Sequence, residues 1–480
     1  MLQTLKNAWN TKELRKKILF TLLILLLYRI GTVIPVPVVE ANAFVGEFDG
    51  TILAQMDLLS GGSLSTATIF ALGVSPYINA SIIIQLLAVV FPRLGELAKN
   101  DKEKMNLITR ITTVILAIVT AIGYYFLLRR ENYAGKTLLV NAADPTQNPS
   151  MAWFYGIVII ACYCAGAAVV MWLGELINKN GIGNGISMIL FANIVSSLPS
   201  FVYKLIDLAV DTYTYSEKAW LYGIISTLFA LAVIAALVAL FIFVIWITGS
   251  ERRIPINYAK RVVGRKMYGG QSQNLPIKLN MTGVMPIIFA SSIVSLVPTI
   301  LMLCGIDGTG EGFWQGTYRV LGSNGVVYPI MLFLLIIAFA YFYTQITFDP
   351  IEVSNNIKKQ GGAIPGIRQG RPTADYIRKI LNKVTFVGAL FLGIIAVLPV
   401  VAGPHIFQYL IEWLIAGNYA EGTVYIFYNN SIMTIPQAAS TVTSHLTFGG
   451  TSILIIVGVV IETFRGLESE LTMRNYKGFL

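Results

Sequence analysis

What most constrains this chain is a recurring apolar run of about 20 residues, the length at which an α-helix crosses the hydrocarbon core of a bilayer. Such runs fall near residues 18–34, 74–91, 111–128, 153–176 and 185–206, and again near 220–248, 284–304, 326–348, 384–401 and 444–463. The chain is 55% apolar and only 12% charged, whereas soluble domains carry roughly 25% charged residues. A water-soluble fold is therefore excluded, and an all-α integral membrane protein with ten transmembrane helices is expected. The runs at 74–91, 185–206 and 444–463 contain Ser, Asn, Thr or Gly, which suits a helix facing a neighbour or a wet cavity rather than lipid. The first run follows Lys12, Arg15, Lys16 and Lys17, as in a signal peptide. It continues to Ile34 without a small-residue cleavage site, so it reads as a retained span.

Alternate loops differ in cations far more than in acids. The N-terminal tail, the loops around 92–110, 177–184, 249–283 and 349–383, and the C-terminal tail hold most of the 35 Lys and Arg. By the positive-inside rule both termini are expected in the cytoplasm. The loop with Arg129, Arg130 and Lys136 is the exception, read as outside despite its charge. Ten spans divide into five and five, and an odd number per half puts the halves in opposite orientation, the geometry of an inverted repeat around a midplane site. The expected halves are residues 1–215 and 216–480.

Several chemistries find no support. Cys162, Cys164 and Cys304 sit in apolar runs and read as small hydrophobes rather than a disulfide framework or metal site. The histidines, His405 and His445, are isolated, and no His-Glu-x-x-His helix occurs. Gly181-Ile182-Gly183-Asn184-Gly185 lacks the Lys-Ser/Thr ending of a phosphate loop and reads as a tight turn between helices. Ion-coupled transporters keep charged groups in their spans. Here the span centres carry none, and Arg29, Glu175, Lys204 and Glu462 lie toward span ends, where snorkelling or capping accounts for them. Neither an enzyme nor a cofactor is expected.

The two long basic loops are unusual. Arg252 to Lys278 reads RRIPINYAKRVVGRKMYGGQSQNLPIK, with IPINYA strand-like and Gly269-Gly270 a plausible turn. Lys358 to Lys383 carries Lys358, Lys359, Arg368, Arg371, Arg378, Lys379 and Lys383 among glycine and proline breakers. Positive-inside anchoring explains some of these charges; a docking surface for an acidic, RNA-rich partner is the alternative.

Five segments resemble the SecY family, the channel subunit of the Sec translocon. They are SGGSLSTATIFALGVSPYINASIIIQLL (Ser60 to Leu87), GIGNGISMILFANI (Gly181 to Ile194), RRIPINYAKR (Arg252 to Arg261), IPGIRQGRPTADYI (Ile364 to Ile377) and GGTSILIIVGVVIET (Gly449 to Thr463). The resemblance covers essentially the whole chain in the family's order. It departs in the outside segments near 130–152, 207–219 and 416–440, which look long or irregular. It implies two pseudo-symmetric inverted halves around an hourglass pore, with a short plug helix. The implied function is a passive protein-conducting channel in the cell inner (plasma) membrane, passing unfolded polypeptides across and releasing hydrophobic segments laterally into lipid. The implied partners are SecE and SecG, the SecA motor or the ribosome, and signal-sequence-bearing substrates.

By the same resemblance the pore ring comprises Ile78, Ile82, Ile186, Leu190, Ile288 and Ile455. Ile78/Ile82 and Ile186/Leu190 are spaced i, i+4 and so share a helix face; such a collar blocks ions by dewetting. Isoleucines facing lipid are the alternative. The plug is placed at about 60–73, including Gly61, Gly62, Ser63, Leu64, Ser65 and Thr66; with Thr68, its hydroxyls make it too polar for lipid. A loop with an incidental helical turn is the other reading. A lateral gate between the second and third spans and the seventh and eighth is expected to be latched by Gln85, Asn280 and Thr282. Partner docking falls to Arg252, Arg253, Tyr258, Lys260, Arg261 and Arg368. A secondary transporter is the competing function; it needs a polar pocket at the midplane.

Overall fold

The computed structural model describes residues 2–39, 52–129, 139, 149–215, 219–258, 261–263, 266–268, 272–304, 306, 312–322, 325, 327–402, 425–428, 431–434 and 450–477. The fold is a bundle of apolar helices. In the first half lie α1 (Leu2–Asn10), α2 (Lys12–Gly31), α3 (Ile52–Ser60), α4 (Ser75–Val90), α5 (Pro92–Asn100), α6 (Lys102–Arg129), α7 (Pro149–Asn180) and α8 (Gly185–Tyr215). The second half contains α9 (Ala219–Gly249), α10 (Met285–Leu303), α11 (Phe313–Leu321), α12 (Val327–Thr347), α13 (Pro350–Lys359), α14 (Arg371–Ala402) and α15 (Gly450–Lys477). Eight described helices are long and apolar enough to cross a membrane: α6, α7, α8, α9, α10, α12, α14 and α15. With α2 and α4 they make ten, so the chain is a multi-pass membrane protein. The expected span at 444–463 is seen from Gly450 onward; residues 444–449 lie outside the described set.

Local chemistry sets the boundaries. Pro76 enters the first turn of α4 and Pro92 opens α5, positions where a missing backbone N–H costs nothing. Between the two helices the chain turns by 117°. The ends of the chain meet on one side of the bundle: Lys17 on α2 pairs with Glu470 on α15 at 2.8 Å. Beneath that pair, Ala8, Leu14, Ile182 and Leu467 form a small buried cluster.

The same side carries a sheet. β1 (Glu251–Tyr258) pairs antiparallel with β4 (Ser272–Lys278), and on its other edge with β5 (Gly362–Ala363). The two basic loops are thus one unit, floored by Ile254, Ile256, Ile277, Ile357, Ile364, Ile377 and Leu381. Among the described residues two more antiparallel pairs occur, β2 (Arg261–Val263) with β3 (Lys266–Tyr268) and β6 (Tyr425–Tyr428) with β7 (Ser431–Thr434). The stretch 349–383, expected as loop, is largely helical. α14 begins at Arg371 because Ile377 and Leu381 give it an apolar stripe that packs under the sheet while Arg378 and Lys379 stay exposed.

Candidate functional site

The six expected ring residues are all buried, none more than 9% exposed, and all belong to one apolar cluster that draws on both halves. They come from α4 (Ile78, Ile82), α8 (Ile186, Leu190), α10 (Ile288) and α15 (Ile455). By contrast α9, on the periphery, turns Ile242 and Trp246 outward at 63% and 70% exposure, as a lipid-facing helix should. α15 lies close to α10 because Gly458 carries no side chain: a Cβ there would fall 2.0 Å from the Val284 methyl. Against this cluster opens a cavity of about 290 Å³, whose lining includes Ile78, Ile186, Leu190 and Ile288 beside the polar Ser81, Gln85, Asn106 and Asn184. A second space of about 500 Å³ continues from it along Tyr77, Asn106 and Asn178 to Arg110, Trp172 and Glu175. There Arg110 and Glu175 form an ion pair at 2.6 Å. Hydropathy could not find this pair, because its partners are on separate helices.

The plug segment differs in form from the expectation. The helix at this place is α3, Ile52–Ser60, which precedes the expected segment, and residues 61–74 are a succession of turns. The helix stops at Gly61 for a physical reason. Gly61 and Gly62 take positive φ (73° and 84°); Gly61 N–H donates to the Leu58 carbonyl (3.3 Å) and Gly62 N–H to the Asp57 carbonyl (2.9 Å), a Schellman termination. The hydroxyls that looked too polar for lipid bond within the turns: Ser63 to the Ser60 carbonyl, Ser65 and Thr66 to that of Gly62, and Thr68 to that of Ser63. The Asp57 carboxylate accepts from Leu64 N–H (3.0 Å) and Ser65 N–H (2.8 Å). Burial outweighs these bonds and raises its pKa above the usual carboxylate value.

The segment is seated by both halves. Leu64, Ala67 and Ala71 pack with Ala121, Tyr124 and Leu128 of α6 and Ile159 and Tyr163 of α7, and Tyr124 donates its hydroxyl proton to the Leu64 carbonyl. From α10, Thr299 reaches Met56 at 3.3 Å. Asn193 of α8, wholly buried, donates to the Leu59 carbonyl at 2.7 Å and to the Tyr28 hydroxyl at 2.9 Å. Sequence reading passed over Asn193 and Tyr28, since an Asn in an apolar helix announces no partner.

At the expected seam, Gln85 is held by a residue that the sequence did not suggest. Tyr343 of α12 donates to its amide oxygen at 2.6 Å, while the amide nitrogen donates to Ser81 at 2.9 Å. Phe289 and Phe339 pack around Tyr343. No hydrogen bond joins Gln85 to Asn280 or Thr282 among the described residues. Asn280 is buried, with its side-chain oxygen unpartnered. It lies in the turn leading into α10, and the neighbouring Leu279 carbonyl abuts Gly388 of α14, inside the second half.

Of the expected docking residues, Arg252 and Arg253 are exposed on β1 and Arg368 is exposed on the second loop. Arg253 pairs with Glu251 at 2.8 Å. Tyr258 is partly buried and reaches Gln360 at 3.4 Å. Arg261 opens β2, and Lys260 lies outside the described residues.

The SecY family model matches residues 68–464. The chain belongs to the SecY family. It is 40% identical to the protein translocase subunit SecY of Streptomyces galbus over 489 aligned residues and to that of Mycobacterium bovis over 496, covering both chains fully in each case. The fold is similar to that of a protein-conducting channel (TM-score 0.58, 18% identity, covering 95% of this chain and 92% of the other). A SecY structure described for its plug domain is also similar (TM-score 0.56, 19% identity, same coverage). So is Sec61 from a canine ribosome–channel complex of the endoplasmic reticulum (TM-score 0.56, 17% identity, same coverage). The ten-helix architecture with inverted halves, hourglass pore and plug is thus the family fold.

Proposed function

We propose that this chain is a passive protein-conducting channel: unfolded polypeptides pass through it, hydrophobic segments leave it sideways into lipid, and a partner supplies the energy. The observation that carries the reading is one buried apolar cluster holding all six ring residues, four of which line a cavity shared with polar side chains, with a hydrogen-bonded segment seated against α8. A collar of Ile and Leu offers a sliding chain no fixed hydrogen bond, and it is too dry for ions. Those properties suit polypeptide cargo better than a small solute, which would need a polar midplane pocket. In this reading residues 1–215 and 216–480 are the two halves. Ile78, Ile82, Ile186, Leu190, Ile288 and Ile455 form the ring, and residues 52–74, the plug. Gln85 latches the seam, with Asn280 and Thr282 behind it.

The resemblance to the SecY family carries further expectations. The channel works in the inner membrane with SecE and SecG, and with the SecA motor or the ribosome docked on the cytoplasmic sheet through Arg252, Arg253, Tyr258, Lys260, Arg261 and Arg368. That Lys17 and Glu470 join the two ends of the bundle on one side supports placing both termini on that cytoplasmic face. The test is reconstitution into vesicles. Deleting residues 61–70 makes the resting channel conduct ions, and Arg368→Glu impairs precursor translocation while leaving the chain's own insertion intact. A deletion variant as tight as the parent sinks the plugged-pore reading; normal secretion by Arg368→Glu reduces the loop to an anchor.

A further inference from the structure

Accounting for the last carbonyls of α3 isolates one residue. The Asp57 carbonyl is taken by Gly62 N–H, that of Leu58 by Gly61 N–H, and that of Ser60 by the Ser63 hydroxyl, all within the segment itself. The Leu59 carbonyl has no such local donor among the described hydrogen bonds. It is met from another helix, by the Asn193 amide at 2.7 Å. The same amide also donates to the Tyr28 hydroxyl of α2, and Arg29 approaches the Gly61 carbonyl at 3.5 Å. The fit is close: a side chain at Gly61 would put its Cβ 2.8 Å from both Asn193 Oδ1 and the Arg29 guanidinium. Asn193 Oδ1 itself is buried without a partner, so the contact is incompletely satisfied and can be released at small cost once water enters.

Ile186, Leu190 and Asn193 are spaced i, i+4, i+7 and lie on one face of α8. The collar and this tether are therefore cut into the same stripe of one rigid element, separated by about 5 Å of helix rise between Leu190 and Asn193. We propose that Asn193 is a positioning residue that holds the plug shut and couples it to the collar. A chain that pushes α8 aside at Ile186 and Leu190 also withdraws the donor from Leu59, so waist and plug open together rather than in sequence. This rests on the plugged-pore reading above, and it adds a specific residue and a mechanical link.

The experiment compares resting ion conductance and export of a precursor with a crippled signal sequence, using the full chain with its partner subunits in vesicles. Asn193→Leu, which keeps the branched shape and removes the donor, should raise both by on the order of five- to tenfold while intact precursors are exported normally. Asn193→Ala should act in the same direction, and Tyr28→Phe, which leaves the Leu59 bond in place, should have a smaller effect. Combined with deletion of residues 52–70, which removes α3 and with it the Leu59 carbonyl, Asn193→Leu should add nothing, because its effect runs through the plug. Additive leakage in that double variant, or unchanged conductance in Asn193→Leu while the deletion alone leaks, overturns the tether and leaves the plug standing. If the deletion itself does not leak, both readings fall.

Discussion

In the proposed channel the collar and the plug both contact α8, yet they close by opposite chemistry. The collar of that proposal is six apolar side chains from four helices, all buried in one apolar cluster. Its barrier comes from keeping water out, so it can widen and reclose over cargo of any sequence. The plug is held by named donors and acceptors: Asp57 to two backbone N–H groups, Tyr124 to Leu64, Asn193 to Leu59. Such contacts define one seated position and are lost together when the geometry fails. The seam follows the plug, with Gln85 and Tyr343 bonded inside a cage of aromatic rings. Apolar closure suits a surface that must grip nothing, and polar closure suits parts that must return to one place.

The contrast can be broken most easily at the collar. Burying an Ile side chain is worth about 1.5–3 kcal/mol. Ile82→Asn or Ile455→Asn should therefore wet the waist and raise resting conductance by roughly 10- to 100-fold; a dry, silent channel would mean that the collar is not the seal. The seam should respond less. Tyr343→Phe removes one interhelical hydrogen bond, about 1 kcal/mol, or roughly a fivefold shift toward the open seam. It should be read as export of less hydrophobic signal sequences, and an unaltered hydrophobicity threshold would remove Tyr343 from the latch.

The smallest effect is expected at Asp57, and its sign follows from burial. Because desolvation raises its pKa in the seated plug, that state binds more protons than the released one. Lowering the pH toward the raised value therefore favours the seated plug. The gain saturates below the ordinary carboxylate value, where both states are protonated. Resting conductance should fall by about twofold per pH unit on mild acidification. Asp57→Asn should abolish that dependence while keeping the plug seated, since its amide oxygen can still accept from Leu64 and Ser65. Conductance that rises with acid would show that the hydrogen bonds to the carboxylate, not its burial, dominate.

Much of the architecture was legible because hydropathy is a one-dimensional property. Where the runs from 111–128 to 384–401 lie, helices are found, and the IPINY part of IPINYA lies in β1. The segment expected as a plug helix, 60–73, begins where a helix stops: Gly61 and Gly62 close α3, and turns follow. Hydropathy alone extends the basic loop to Lys383, although the amphipathic stripe of Ile377 and Leu381 belongs to α14.

The sequence by itself determined that this chain lives in a bilayer, how many times it crosses, and which loops carry the cations, because each depends on the composition of a contiguous stretch. Only the tertiary structure decided which isoleucines face inward, that Gln85 meets Tyr343 across 258 residues, and that Asn193 caps a helix 134 residues away. An apolar side chain is equally content against lipid or against another Ile, and a lone polar one states a need without naming its partner. Those choices are settled by packing, where helices distant in the chain are brought within a bond length.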